Sequence, residues 1–290
     1  MGNQQQFKRT RIAPTPSGYL HLGNAFSFAL TASLAKITGA KIMLRIDDMD
    51  QQRANKDFIN DIFSTLDFLG IRYAEGPQNA EELTNNWSQL HRLAAYNDAI
   101  TQLQMQDAVF ACLCTRSQLQ TTGYQCNCFK QNFAMDTPGA AWRLKTLPDV
   151  PVTIKTYEQE IITTVLPQEM QNFIVRKKDG FPAYQMASLV DDLHFETDLI
   201  VRGADLWPST IAQHYLANVL GLGCFSNVTF YHHDLLMGGE NTKLSKSAGA
   251  TSIKFLRERG TTATQVYDLI NNRLKEQNSN EIFTFNIFDR

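Results

Sequence analysis

The chain has 290 residues, 43% hydrophobic and 19% charged, so it has room for one large α/β unit or two domains and shows no disordered bias. Its formal net charge of -2 gives no whole-molecule basic field, so any RNA would be held by local Lys and Arg patches. The polar stretch Met1–Thr10 and the lack of any apolar run of about 18 residues argue against secretion and membrane spanning, and a cytoplasmic monomer is expected.

Arg9–Ala13 is expected to form a short strand, broken by Pro14, Pro16 and Gly18. From Ala25 to Ile37 a helix follows, with Phe28, Leu30, Leu34 and Ile37 on its buried side and Gly39 closing it. Lys41–Ile46 is the next buried strand, and Phe58, Ile59, Ile62, Phe63 and Leu66 mark a second helix ending at Gly70. Strand and helix alternating at this rhythm predict a parallel sheet with crossover helices. Between about 75 and 183 the rhythm is lost. This stretch holds a helical run near Leu90–Leu103, a cysteine cluster and a Pro-punctuated, alternating segment from Pro138 to Pro167, and it reads as an insertion. Buried-sheet signals return at Ala187–Val190 and Asp198–Val201, then a helix at Ser209–Leu220 and a strand at Val228–His232. Cys224, beside Gly221 and Gly223, is expected to be a packing residue. The segmentation expected is a split catalytic domain, 1–80 with 185–238, an insertion, 81–184, and a mostly helical tail, 239–290.

Two segments have the chemistry to handle phosphates. RIAPTPSGYLHLGN, Arg11–Asn24, is a strand, a rigid turn, and then His21, Gly23 and Asn24 opening a helix. A helix N-terminus offers amide donors and a positive dipole end, Gly allows close approach, and His21 adds a donor. Lys243-Leu244-Ser245-Lys246-Ser247 lies among flexible residues and suits a mobile clamp on a polyphosphate. Either alone could be a solvated turn or loop; the pair, bracketing one sheet, is rare. Arg176-Lys177-Lys178 before Asp179-Gly180 reads as a charged β-turn, with contact to RNA phosphates as the alternative.

Four of the five cysteines, Cys112, Cys114, Cys126 and Cys128, fall in one short segment. Thiolates favour zinc, and four closed ligands mark a structural site. Cys112, Cys114, Tyr124 and Cys128 form one possible set; replacing Tyr124 by Cys126 gives a four-cysteine set.

Taken in order, RIAPTPSGYLHLGN, LRIDDMDQQR (Leu44–Arg53), FPAYQMASLVDD (Phe181–Asp192), IVRGADL (Ile200–Leu206) and KLSKS resemble the class I aminoacyl-tRNA synthetases, and within them the glutamyl branch. The resemblance implies a Rossmann-like α/β catalytic domain with an inserted connective or acceptor-type subdomain. It implies an enzyme that uses Mg2+-ATP, with His21 and Lys246 catalytic and Gly23, Asn24, Lys243 and Ser245 also at the ATP. For L-glutamate it implies Arg11 and Arg202 on the carboxylates, Asp47 on the ammonium where the family usually has Glu, and Tyr184 and Thr15 as nearby hydroxyls. Arg53 matches a further basic position, or is an ordinary surface ion pair.

About forty residues follow Ser247, and a chain of this length has a radius of gyration of about 19 Å, small for embracing both ends of a tRNA. With the C-x-C…Y-x3-C spacing, this resembles the short glutamyl-Q enzymes, which carry structural Zn2+ with an unusual tyrosine ligand. Those enzymes place glutamate on queuosine in the anticodon arm of tRNA(Asp). The alternatives are a truncated glutamyl-tRNA synthetase charging a 3′ end and a non-catalytic tRNA-binding paralogue.

Overall fold

Four short strands rich in β-branched or long side chains build a parallel sheet in a computed structural model that describes residues 5–120, 126–237 and 252–277. In chain order the elements begin with β1 (Arg9–Ile12), α1 (Leu22–Thr38), β2 (Lys41–Leu44), α2 (Lys56–Phe68), α3 (Ala80–Glu82) and α4 (Leu93–Met105). They continue with β3 (Val109–Cys112), α5 (Arg116–Gln120), α6 (Cys128–Gln131), β4 (Ala141–Leu144), β5 (Pro151–Thr156), β6 (Ile161–Val165) and β7 (Ile174–Arg176). The last are α7 (Tyr184–His194), β8 (Leu199–Gly203), α8 (Trp207–Val219), β9 (Thr229–His233), α9 (Ile253–Glu258) and α10 (Ala263–Glu276).

By contacts the chain divides into two units, Met1–His91 with Thr197–Leu206 and Val228–Arg290, and Arg92–Glu196 with Trp207–Asn227. The expected segmentation followed sheet rhythm. The contact division assigns 81–91 to the first unit and 185–196 with 207–227 to the second.

In the first unit the strand order is β2-β1-β8-β9, all parallel. Helix α1 is the crossover between β1 and β2, its length set by the capping box at His21 and by Gly39, which takes φ +77 at its C-cap. Phe28, Leu30 and Leu34 are buried as expected, whereas Ile37, in the last turn, is 49% exposed. The turn after β1 lies against the segment after β2: Arg45 N donates to Ile12 O (2.9 Å) and Asp47 N to Pro14 O (2.9 Å). Asp48 is buried and locks that segment, accepting from Ser88 Oγ (2.6 Å) and Gln89 N (2.8 Å).

The second unit combines an antiparallel sheet, β3-β4-β7, with the β5-β6 hairpin and helices α4, α7 and α8. Ala187–Val190, expected as sheet, lies inside α7. A short apolar run cannot by itself separate strand from helix, and here the buried face extends through Met186, Leu189 and Asp192 at helical spacing. Helices α4 and α7 are tied by a buried network in which Arg92 donates from Nε to Asp191 Oδ1 (2.7 Å) and from Nη2 to Oδ2 (3.2 Å). Tyr96 donates its hydroxyl to the same carboxylate. Burial, with Asp191 next, pushes the Tyr96 hydroxyl far above its ordinary pKa, so it stays a donor. Cys224 is exposed, not packed, because it lies in a short 3-10 turn after α8. Among the described residues no helix is long and apolar enough to cross a membrane.

Candidate active site

The C-terminal ends of parallel strands are where open α/β sheets bind ligands, since loops diverge there and leave a crevice. In the first unit β1 delivers Arg11 to this edge, β8 delivers Arg202, and the segment after β2 delivers Asp47. Arg11 is buried, with Nη1 donating to Val201 O (3.3 Å). Arg202 is 3% exposed and its guanidinium lies 4.8 Å from the centre of the Phe230 ring. A planar cation laid on an aromatic face keeps a fixed orientation, which suits recognition of a carboxylate.

Asp47 is not an isolated acid. It accepts from Arg45 Nε (2.7 Å) and Nη2 (3.3 Å), and its side chain is 11% exposed. A carboxylate has lone pairs for more than one such partner, so Arg45 both fixes the orientation of Asp47 and shares its charge. Arg45 is a site residue the sequence did not single out, and the signal for it was the alternation Arg45, Asp47 after a buried strand. Thr15 is exposed in the turn after β1, where Ser17 N donates to its carbonyl (2.9 Å). Arg53 pairs with Asp50 at 3.6 Å on the surface. Tyr184 opens α7 in the second unit and is 45% exposed.

His21 is the N-cap of α1. Its Nδ1 accepts from Gly23 N (3.1 Å), while its own N–H donates to Asn24 Oδ1 (3.1 Å). A backbone N–H can only donate, so Nδ1 carries no proton and the neutral ring holds its proton on Nε2. The cap therefore fixes both the tautomer and the donor that the ring offers. Gly23 makes this possible, because a Cβ there would come within 3.1 Å of His21 Nδ1 and Cε1. Its amide is consequently engaged by the ring.

Lys243, Ser245 and Lys246 lie outside the described residues, but both flanks of their segment are placed. On the upstream side, the His233 ring at the end of β9 packs edge-to-face on Phe26 of α1, centroids 4.8 Å apart. On the downstream side, Ser252 forms a β-bridge with His21, and Ile253 N donates to Leu20 O (2.7 Å). Lys254 Nζ donates to Tyr19 Oη (3.0 Å), and Arg257 pairs with the buried Asp61 at 3.0 Å. Ser252 and Ile253, which follow the segment, are thus held beside Leu20 and His21.

His232, opposite Arg202 in the β8–β9 register, shares a 3.2 Å hydrogen bond with Gly203 O. Burial, and then the Arg202 guanidinium, pushes its pKa down to about 3, and burial also lowers that of His233. Both imidazoles are therefore neutral in the folded state. Because the folded value of His232 lies below the unfolded one, the stability it contributes is complete above about pH 6.5 and is lost as pH falls from there toward 3. Urea denaturation should show about 2 kcal/mol less stability at pH 5 than at pH 7 from His232 alone, and His232→Asn should flatten that slope.

The cysteine cluster lies in the second unit, where β3 ends on Cys112 and α6 begins on Cys128. The four sulfurs of Cys112, Cys114, Cys126 and Cys128 lie within 4.8 Å of one another. Three of the sulfur pairs are close: Cys112–Cys126 at 3.7 Å, Cys114–Cys126 at 3.5 Å and Cys114–Cys128 at 3.5 Å. These distances are too long for disulfides, whose sulfurs sit about 2 Å apart. They match the edge of a ZnS4 tetrahedron, about 3.8 Å for zinc–sulfur bonds of about 2.3 Å. Burial pushes the Cys126 thiol up to about 12 and raises Cys112 as well, so without a cation both of these thiols stay protonated. The donor set fits a closed structural zinc site. Tyr124 lies outside the described residues.

With this geometry in hand, the comparisons with known proteins are specific. Residues 8–286 match the family model described as tRNA synthetases class I (E and Q), catalytic domain. The chain is 30% identical over 272 residues to glutamate–tRNA ligase 2 of Syntrophus aciditrophicus, covering 87% of this chain and 54% of that protein. It is 32% identical over 263 residues to the glutamyl-Q tRNA(Asp) synthetase of Ralstonia nicotianae, covering 84% and 79% respectively. The chain thus spans about half the length of the glutamate–tRNA ligases it matches. Among solved structures, the glutamate tRNA ligase of Elizabethkingia meningosepticum shares the fold at a TM-score of 0.67 and 23% identity, covering 83% of this chain and 52% of that one. A parallel sheet with buried arginines at its carboxyl edge, a histidine-capped first helix and a family match over residues 8–286 place this chain among the class I tRNA synthetases of the glutamyl and glutaminyl type.

Proposed function

We propose that the chain activates L-glutamate with Mg2+-ATP and transfers the glutamyl group to queuosine at the wobble position of tRNA(Asp). The observation that carries the activation step is the pair of buried guanidiniums, Arg11 and Arg202, at the carboxyl edge of the sheet that also positions His21. Two fixed cations suit a substrate with two carboxylates, and Asp47 suits its ammonium. The acceptor rests on kinship. Relatives named glutamyl-Q tRNA(Asp) synthetase are 32% and 33% identical to this chain, in Ralstonia nicotianae and Cupriavidus metallidurans.

In the first step an oxygen of the glutamate α-carboxylate attacks the α-phosphorus of ATP. The bond to the bridging oxygen breaks, and pyrophosphate leaves. Negative charge spreads over the α-phosphoryl oxygens, and the Nε2–H of His21, held by the cap, donates to it. Lys243 and Lys246 follow the β- and γ-phosphates. In the second step a hydroxyl of the queuosine cyclopentene ring attacks the activated carbonyl carbon, its proton is lost, and AMP leaves. Neither step needs a protein nucleophile, since positioning and charge stabilisation carry both. Residues 1–80 and 185–238 supply the catalytic domain in this scheme, and 81–184 the zinc-bearing insertion.

Labelled glutamate should still be transferred to tRNA(Asp) from which the 3′-terminal adenosine has been removed. Loss of transfer on that truncation would favour the second reading, 3′-end charging, which the match to glutamate–tRNA ligases supports.

A further inference from the structure

Beside the cysteine cluster, the second unit holds a cleft of about 320 Å³ lined by Met135, Asp136, Pro138, Trp142, Arg176 and Lys178 among others. We propose that this cleft binds a single unpaired nucleotide of an RNA, its base against Trp142 and Arg176 and its phosphate near Lys178. The proposal rests on the RNA-acceptor reading above, and the following features carry it.

Trp142, on β4, donates its indole N–H to Met135 O at 2.8 Å. That bond uses the ring's one polar group and holds the ring still, leaving a rigid aromatic platform. The Arg176 guanidinium, on β7, lies 4.8 Å from the ring centre. Among the described residues it makes no side-chain ion pair, and Gly180, at φ +89, leaves it room, since a Cβ there would come within 3.3 Å of Arg176 Nη2. Guanidinium and indole planes are the surfaces on which unpaired bases stack.

The three successive cations are used differently. Lys177 is neutralised by Asp179 at 2.9 Å and lies over Phe181 at 5.5 Å, outside the cleft. Arg176 and Lys178 line it, against one carboxylate, Asp136, so the lining is net positive. An acid at that place can accept from a base's N–H groups, as carboxylates do in nucleic-acid readout. Lys178 Nζ donates to Leu113 O (2.8 Å), and Leu113 sits between Cys112 and Cys114, so the cleft's rim is tied to the cysteine cluster. The volume is at the low end of small-ligand clefts, about 300–1,000 Å³, which admits one nucleotide and excludes a duplex.

The test is titration of a labelled short oligouridylate by fluorescence anisotropy, over a series of salt concentrations, with far-UV circular dichroism and metal content measured on each variant. Trp142→Ala should weaken binding on the order of tenfold or more, whereas Trp142→Phe, which keeps a stacking face, should cost much less. Arg176→Gln should weaken binding severalfold, and Lys178→Gln should reduce the slope of log affinity against log salt by about 0.7. Arg176 is a partly exposed cation without a buried partner among the described residues, so its variant carries the test even if Trp142→Ala fails to fold. Wild-type affinity in Trp142→Phe, Trp142→Ala and Arg176→Gln alike would overturn the proposal, as would absence of salt-dependent binding by the wild type. Glutamate-dependent pyrophosphate exchange, which needs no RNA, should be the same in all of them. Its absence from the wild type would remove the proposed activation while leaving the oligonucleotide titration to decide on the cleft.

Discussion

Replacing His21 with alanine should slow glutamate-dependent pyrophosphate exchange by about two to three orders of magnitude, the usual cost of removing one donor to developing charge. The same change should cost about 1 kcal/mol of stability, because the ring caps α1 through Gly23 N. Those two losses are separable. Asparagine is a good N-cap, and His21→Asn should restore most of the stability while exchange stays slow. The distinction follows from the tautomer: Nδ1 is committed to the cap, so only Nε2–H is left to meet a phosphoryl oxygen. Chemical denaturation and exchange assays on the two variants check this. An asparagine variant with normal exchange would mean that the ring serves the helix alone.

The other large effect lies in the second unit. The protein as purified should carry stoichiometric zinc, and serine at Cys112, Cys114 or Cys128 should abolish it and unfold the sheet around β3. Structural zinc contributes about 10–16 kcal/mol of apparent binding free energy in small metallo-domains at neutral pH, comparable with the whole stability of a typical domain, about 5–15 kcal/mol. The buried thiols have little else to hold them together: their packing partners are Phe110, Leu119 and Phe133. The fourth ligand is decided by a pair of variants. With Cys126 sulfur 3.5 Å from Cys114 and 3.7 Å from Cys112, Cys126→Ser should lose metal and Tyr124→Phe should keep it. Metal analysis and thermal denaturation of each read the result, and the opposite pattern would assign the tyrosine oxygen.

How far the sequence reveals this molecule depends on the range of the interaction. The β1-α1-β2 unit was legible because its signals are local: Pro14 and Pro16 stop the strand, His21 and Asn24 cap the helix and Gly39 ends it. Arg11, Arg202 and Asp47 were singled out through family resemblance, and the structure places all three in one unit. Their partners were not. Arg45 on Asp47 and Phe230 beneath Arg202 depend on strand pairing, which no local pattern states. Helix α7 was misread as sheet at Ala187–Val190 because four apolar or small residues fit either period. What fixes it as helix is Asp191, held by Arg92 from 99 positions away. The cysteines were read as a candidate metal site from their spacing, with Cys126 as the alternative to Tyr124, and the fold places the Cys126 sulfur in the cluster. Gly23 was read as a phosphate-approach residue, and in the structure it makes room for the His21 ring.

The claim on which the rest depends is glutamate activation without RNA. Pyrophosphate exchange measured with glutamate, aspartate and glutamine in parallel tests it most directly. Two buried arginines and the Arg45-oriented Asp47 predict exchange with glutamate, which offers two carboxylates and the longer chain, and little with the other two. Exchange strongest with aspartate or glutamine would contradict the substrate assignment, and no exchange with any of the three would contradict the activity itself.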